Sequence, residues 1–264
     1  ENLTLPNSQN IDKVNNEFFK RNFHVVFESK DLIILDKEAG IAVHQGSAQH
    51  PGKSLVELLW HYLPPERNEN CKASLVHRLD KGTSGLIIAA KNPPAFRAVA
   101  LLLKQKETKK EYLCLVKGIP GKKSDLIDIP LRRIDSKMGG TKMLADNGIN
   151  SKNSYTEYEV AETFHDCSLL KVILHTGRTH QIRAHLSIIG HPLACDKQYG
   201  DSEWNAILKR KYSLNRIFLH AHSLTFNKEM SIINREKFVS PLPKELDQVL
   251  IKLRKRAENL VISH

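Results

Sequence analysis

The stretch "SLVHRLDKGTSGLIIAAK" (Ser74–Lys91) predicts a buried β-strand that begins directly after a tight polar turn. Its second part, "GLIIAAK", is almost wholly apolar, and a short apolar run bounded by turn residues is typical of a strand inside a sheet. A single carboxylate, Asp80, precedes the Gly-Thr-Ser-Gly turn. Taken alone, Asp80 is most simply a turn cap that uses Thr83 or Ser84. Its position at the lip of a buried strand also allows it to act on a substrate.

The rest of the chain alternates short strands with a few amphipathic helices. Strands are predicted at 24–37 (a hairpin), 110–118, 154–163 with 167–175 (a second hairpin) and 217–226. Helices are predicted at 53–64 with Ser54 as N-cap, 93–106, 179–190 between Thr179 as N-cap and Gly190, and 243–256. Hairpins outnumber βαβ units, so we expect an α+β fold with a mixed, mostly antiparallel central sheet flanked by helices and loops.

Composition favours an intracellular protein with a polyanionic partner. Among 264 residues, 40 Lys and Arg stand against 29 Asp and Glu, which gives a formal net charge of +11. Cationic side chains that neutralise phosphates release counterions, so this balance favours nucleic acid, although a basic protein without such a partner is the alternative. The four cysteines form no C-x-x-C pair and are expected to be reduced, as in the cytoplasm. No apolar run is long enough for a membrane span, and no signal peptide is evident.

Four further residues have both a structural and a functional interpretation. Tyr112, in an apolar strand, is usually a core aromatic residue. Arg183 lies on a helix whose apolar side is formed by other residues, so it could be a solvated surface residue. His180 and His185 are five residues apart, and not the four that place two metal ligands on one helical face. We therefore expect no metal site, and the lack of a glycine-rich phosphate cradle predicts no cofactor.

Four motifs taken together are more informative. "HRLDKGTSGLIIAAK", "KEYLCLVKG", "HTGRTHQIRAHLSIIGHPLACDKQYG" and "FLHAHSL", in this order and spacing, closely resemble the Rlu family of RNA pseudouridine synthases. The similarity runs from about Val25 to "PLPKEL", and details such as "GIAVHQGS" are most similar to the RluC-type enzymes, which modify large-subunit ribosomal RNA.

The resemblance implies roles for individual residues. Asp80 corresponds to the catalytic aspartate, Tyr112 to the active-site tyrosine and Arg183 to the basic partner of the aspartate. Arg78 corresponds to the arginine that enters the RNA stack when the uridine is flipped out, and Leu219 to an apolar residue that covers the base. His77, Arg178 and His180 lie in the same motifs and are expected to contact RNA.

The resemblance also implies how the chain is organised. We expect residues 1–23 to be a linker or N-terminal arm, too short for the S4 RNA-binding domain that many RluC-like proteins carry upstream, and residues 24–264 to form the catalytic domain. A monomer acting on ribosomal RNA without a cofactor is expected. The sequence departs from the family at Glu38, where proline is usual, at Lys81-Gly82, where Arg-Asp is common, and at Cys195, where glycine is frequent.

Three alternatives stay open from the sequence. The substrate could be transfer RNA, since related enzymes with nearly identical motifs use it. The chain could bind RNA without catalysis, although the intact residues Asp80, Tyr112 and Arg183 argue against this. A hydrolase that uses Asp80 as nucleophile would need a second carboxylate, and Asp36, Asp166 and Asp196 could not be placed.

Overall fold

A computed structural model describes residues 22–44, 54–64, 68, 71–135, 141–227, 233 and 236–262, with side chains up to residue 256. The chain divides into two compact units: Glu1–Gln105 with Lys228–Glu236, and Lys106–Asn227 with Lys237–His264. Residues 1–21, most of the predicted N-terminal arm, lie outside the described residues. None of the described helices is long and apolar enough to cross a membrane.

The first unit holds an antiparallel sheet of four strands. These are β1 (Phe23–Glu28), β2 (Leu32–Lys37), β3 (Ser74–Leu75) and β4 (Ser84–Ala90). β2 pairs with β1 and β4, and β3 pairs with β4. All seven residues of β4 are buried, as its apolar sequence predicts. The described part of this unit also contains the helices α1 (Leu55–Tyr62) and α2 (Pro93–Lys104), and Ser54 caps α1 within a capping box.

The second unit is built on an antiparallel sheet in the order β11-β5-β10-β9-β6, with β12 paired to β11. These strands are β5 (Thr108–Lys117), β6 (Ser124–Asp128), β9 (Tyr155–Thr163), β10 (Cys167–Leu174), β11 (Leu219–Phe226) and β12 (Lys237–Val239). β7 (Leu131–Asp135) and β8 (Thr141–Ala145) form a separate hairpin. Its helices are α3 (Gln181–Ile188), α4 (Ser202–Tyr212) and α5 (Lys244–Ile262).

The two faces of β5 are used differently, because successive side chains of a strand point to opposite faces. Leu113 and Leu115 enter a core that also contains Trp204 and Leu208 of α4 and Leu250 of α5. Each such side chain contributes roughly 1.5–3 kcal/mol on burial, so α4 and α5 are held firmly against this face. The opposite face of β5 carries Lys110, Tyr112 and Cys114.

The structure confirms the α+β, mostly antiparallel fold and the predicted strands and helices. Two details differ. The N-cap of α3 is His180 in a left-handed conformation (φ 52°), and not Thr179, because the first helical hydrogen bond, from the Ala184 N–H, is accepted by the His180 carbonyl. Helix α4 had no prediction. Gly190 does adopt the expected left-handed backbone after α3, with φ 86°.

Candidate active site

Asp80 lies in a tight turn at the start of β4, in the first unit. The backbone N–H of Thr83 donates to the carbonyl of Asp80 over 3.0 Å, which closes the turn, and Thr83 and Ser84 are buried directly behind it. Gly85, the second residue of β4, has φ 109°, a backbone region that glycine adopts readily. The Asp80 side chain is half-buried. The turn therefore fixes the backbone that carries the carboxylate.

A buried lysine, Lys37, donates a hydrogen bond to the residue that follows Asp80. Lys37, at the end of β2, has no exposed surface, and its ammonium donates to the carbonyls of Glu38 (2.8 Å), Ile41 (3.0 Å) and Lys81 (3.4 Å). The backbone N–H of Gly40 also donates to the Lys81 carbonyl, over 2.7 Å. A buried cation is stable only when it is well paired, so these bonds tie the residue after Asp80 to the loop after β2.

Arg78 and His77 precede Asp80 and have different surroundings. Arg78 is exposed, whereas its neighbour Leu79 is buried at 5% exposure. His77 is half-buried, and its Nε2 accepts the backbone N–H of Ile88 over 3.1 Å. This bond leaves Nε2 without a proton, so the proton of the neutral ring is on Nδ1. Of these two residues before Asp80, Arg78 is therefore the one whose side chain is exposed to solvent.

Tyr112 and Leu219 share one face of the sheet of the second unit. Tyr112 is paired with Ala221 across β5 and β11, and Leu219 with Cys114, so Tyr112 and Leu219 are diagonal neighbours. Tyr112 is 5% exposed and Leu219 3%. The two residues thus lie side by side on one face of the sheet, and this pair is called the floor below; that it covers a base stays a prediction.

Arg183 is anchored in the second unit by a buried aspartate. Its Nε lies 2.7 Å from Oδ2 of Asp196 and its Nη2 3.0 Å from Oδ1. The Arg183 side chain is 12% exposed and that of Asp196 0%. Burial alone would raise the pKa of Asp196, but the hydrogen bonds and charge of Arg183, with the backbone N–H groups of Gln198 and Tyr199, hold that pKa below its usual range. The interpretation of Arg183 as a solvated surface residue is therefore wrong.

Tyr199 contacts both Arg183 and His180. The guanidinium carbon of Arg183 lies 5.0 Å from the centre of the Tyr199 ring, a cation–π contact. The Tyr199 hydroxyl accepts the backbone N–H of Met143 over 2.7 Å and lies 3.1 Å from Nδ1 of His180. Two predicted site residues, Arg183 and His180, thus both contact one buried tyrosine.

The loop that carries Arg178 is held by Gln181. The Gln181 side chain is 2% exposed, and its Oε1 accepts from the Thr176 hydroxyl (2.8 Å) and the Arg178 N–H (3.0 Å). Its Nε2 donates to the Tyr155 carbonyl and the Thr156 hydroxyl, both at 2.9 Å. Arg178 itself is exposed, with its Nε 3.3 Å from the Asn153 carbonyl. One fully satisfied buried amide therefore positions an exposed arginine.

Four supporting residues were missed as site residues: Lys37, Gln181, Asp196 and Tyr199. The last three lie inside the longest of the quoted motifs, so their position in it was the available signal. The structure also explains one departure from the family. Cys195 has φ 57°, which favours the usual glycine, and its thiol donates to the Leu214 carbonyl over 3.2 Å.

Asp80 belongs to the first unit, and Tyr112 and Arg183 belong to the second. That their side chains converge on one substrate stays a prediction. Within the described ranges, no cluster of three or more His, Cys, Asp or Glu residues is arranged to hold a metal ion.

Comparisons with known proteins agree with the motifs. A family model described as RNA pseudouridylate synthase matches residues 31–188. The ribosomal large subunit pseudouridine synthase C of Haemophilus ducreyi is 35% identical over 253 residues, which cover 96% of this chain and 76% of that protein. The ribosomal large subunit pseudouridine synthase D of Nitrosomonas europaea is 39% identical over 237 residues, which cover 87% and 65%.

A solved structure, the human RNA pseudouridylate synthase domain containing 4, has a TM-score of 0.69 to this chain. It covers 91% of this chain and 96% of its own, at 23% identity. At that identity the likeness shows the fold alone.

Proposed function

Because the chain belongs to the RNA pseudouridylate synthase family, we propose that it converts particular uridines of large-subunit ribosomal RNA to pseudouridine. Family membership makes the chain an RNA pseudouridine synthase. The choice of ribosomal RNA is supported by one observation above all: a relative named for the large ribosomal subunit matches 96% of this chain at 35% identity. The net charge of +11 suits such a polyanion.

The reaction breaks the N1–C1′ bond of uridine, turns the base and rejoins it through C5, while a proton leaves C5 and one is gained at N1. The target base must first leave its stack, which costs a few kcal/mol. We assign to Arg78 the role of filling the gap, because its side chain is exposed and a planar guanidinium can stack on the neighbouring bases. Arg78 lies two residues before Asp80, so a guanidinium that fills the gap stays close to the catalytic carboxylate.

Asp80 is the catalytic carboxylate of this proposal, and Arg183 is its partner. A guanidinium beside a carboxylate favours the ionised form that a nucleophile or base requires. Asp196 sets the orientation of the Arg183 guanidinium by accepting from its Nε and Nη2. Attack at C1′, addition at C6 and removal of the 2′ proton all need this same carboxylate.

The floor formed by Tyr112 and Leu219 receives the flipped uracil in this proposal. The Tyr112 ring offers stacking area, and its hydroxyl is the candidate for removing or relaying the C5 proton. Arg178, His180 and His77 complete the contacts to RNA. Arg178 suits a phosphate because it is exposed at a loop whose position Gln181 fixes.

The proposal includes a monomer that works in the cytoplasm without a cofactor. The reaction is an isomerisation, so it has no net oxidation and no second substrate. The four cysteines are unpaired thiols, which suits a reducing compartment.

The test is to incubate the protein with an unmodified transcript of large-subunit ribosomal RNA and to map pseudouridines. We expect modification at defined uridines by the wild-type chain and none by Asp80→Asn, which keeps the size of the side chain and removes its charge. Asp135→Asn, at an exposed carboxylate paired with Arg133, is the matched control and should keep full activity.

Other outcomes would contradict the proposal in distinct ways. Modification of transfer RNA alone would refute the ribosomal substrate, and free uracil would indicate a hydrolase. Binding of RNA without any base change by the wild-type chain would identify a non-catalytic module. Pseudouridine formation by Asp80→Asn would refute the assigned site.

A further inference from the structure

Lys110 lies in the middle of the second unit, on the same face of β5 as Tyr112. It is two residues before Tyr112, a separation of about 7 Å along a strand, and it is paired with Leu224 of β11. This is the face that carries Leu219, and not the face covered by α4 and α5. Its ammonium is thus held beside the proposed floor for the base.

The ammonium of Lys110 has neither a hydrogen bond nor an ion pair to any residue that the structure describes. Burial lowers its pKa, since desolvation disfavours the charged form. The neighbouring Lys109, which points to the opposite face, has a partner, with its Nζ 4.0 Å from the carboxylate of Glu111. A half-buried cation without an acceptor among the described residues is costly, and an anion bound next to it would offset that cost.

The loop after β10 leaves this ammonium open to a ligand. A side-chain carbon added at Gly177 would lie 3.8 Å from Lys110 Nζ, and Gly177 is exposed, so the loop backbone passes over Lys110 without covering it by a side chain. Arg178 follows directly and is exposed. Two cationic groups, one fixed in the sheet and one in the loop, therefore flank Gly177.

We propose that Lys110 binds a backbone phosphate of the RNA next to the flipped uridine, and so sets the position of the nucleotide above Tyr112. A phosphate has several acceptor oxygens and carries a negative charge, so it can serve as the counter-ion of the Lys110 ammonium. The strand holds Lys110 rigidly, whereas a surface lysine would lose its mobility on binding. This inference rests on the proposed function, since it assigns a phosphate contact to that same site.

The test measures kcat/KM for pseudouridine formation on the large-subunit transcript as a function of salt concentration. Lys110→Met should lower kcat/KM by roughly three- to tenfold and reduce the slope of its logarithm against log salt by about 0.7–0.9, the contribution of one phosphate. Lys110→Arg should keep the wild-type slope. Lys171→Met removes the same charge from an exposed position of β10 on the opposite face, and should change neither quantity.

A purely structural role predicts other results. Lys110→Met removes an unpaired, desolvated charge, so its melting temperature should equal or exceed that of the wild type; a clear decrease would show that Lys110 stabilises the fold instead. Pseudouridine formation with an unchanged salt slope in Lys110→Met would refute this inference alone. Absence of pseudouridine formation by the wild-type chain would refute the proposed function.

Discussion

The guanidinium of Arg183 and the carboxylate of Asp196 form a two-point ion pair, in which Nε and Nη2 of the arginine each meet a different oxygen of the aspartate. The carboxylate also accepts the backbone N–H groups of Gln198 and Tyr199, at 2.8 and 3.1 Å. All the hydrogen bonds described for the Asp196 carboxylate are donated by N–H groups. The aspartate therefore fixes the plane of the Arg183 guanidinium, and we treat it as a positioning residue.

Asp196→Asn is expected to impair both stability and turnover. The asparagine NH₂ group would face an N–H donor whichever way the amide is turned, and the buried arginine would lose its counter-ion. Breaking a buried pair in this way costs about 3–5 kcal/mol, and a displaced Arg183 should lower kcat by about 100-fold. Denaturant unfolding and the rate of pseudouridine formation, measured where the variant is folded, check the two effects.

Asp135→Asn is the control for this prediction, because Asp135 pairs with Arg133 at a position where both side chains are 60% exposed. Such a pair contributes at most about 1 kcal/mol, so its loss should leave kcat unchanged. Wild-type turnover by Asp196→Asn would show that Arg183 needs no anchor.

Gly200→Ala tests the turn that carries Asp196. The added methyl carbon would lie 2.2 Å from the Asp196 carbonyl oxygen and 2.9 Å from Nδ2 of Asn205, which itself donates to that oxygen. The backbone must shift, so we expect a loss of about 1–3 kcal/mol in unfolding free energy, together with reduced kcat. At Gly121 an added carbon meets nothing within 4 Å, and Gly121→Ala should fold as stably as the wild type. Equal stability of the two variants would contradict the prediction.

Gln181→Met is expected to loosen the loop that carries Arg178. The change removes the acceptor of the Arg178 N–H and of the Thr176 hydroxyl, and each buried group left unpaired costs about 1–3 kcal/mol. Limited trypsin digestion reports this directly, since cleavage after Arg178 should become faster. Gln248→Met, at an exposed site on α5, is the matched control. The hypothesis fails if both variants are cleaved at the wild-type rate.

The sequence predicted the elements whose signals are local. The strand at β4 follows from one apolar run and one turn, and the strand at β5 from its run of apolar residues. Helix α4 had the same kind of signal, with Asp201 as N-cap and Trp204, Leu208 and Tyr212 spaced four apart and buried.

The supporting contacts of the site could not be predicted, because they join residues through the tertiary fold. Asp196 reaches Arg183 across 13 positions, and Gln181 reaches Tyr155 across 26. Neither pairing leaves a periodic pattern in the chain. The left-handed backbone of His180, the N-cap of α3, has no local signal in the sequence either, so Thr179 one position earlier was the wrong N-cap.

His220 is expected to make the fold sensitive to mild acid. Its ring is buried, with Nε2 3.1 Å from the Ser240 carbonyl, and burial lowers its pKa from 6.5 to about 4. Between these two values the unfolded chain binds a proton that the folded chain does not, so stability falls as the pH falls from 6.5 towards 4. The full shift corresponds to up to about 3 kcal/mol.

Denaturant unfolding at pH 6.5 and pH 5 checks this, since most carboxylates stay ionised in that interval. His220→Gln should lose less stability than the wild type between the two pH values, even if it is less stable at both. His165→Asn, at an exposed histidine, should keep the wild-type difference. Burial also lowers the pKa of His185, so part of the pH dependence should persist in His220→Gln. An unchanged difference in His220→Gln would mean that this ring does not carry the effect, because only a group whose pKa changes on unfolding couples stability to pH.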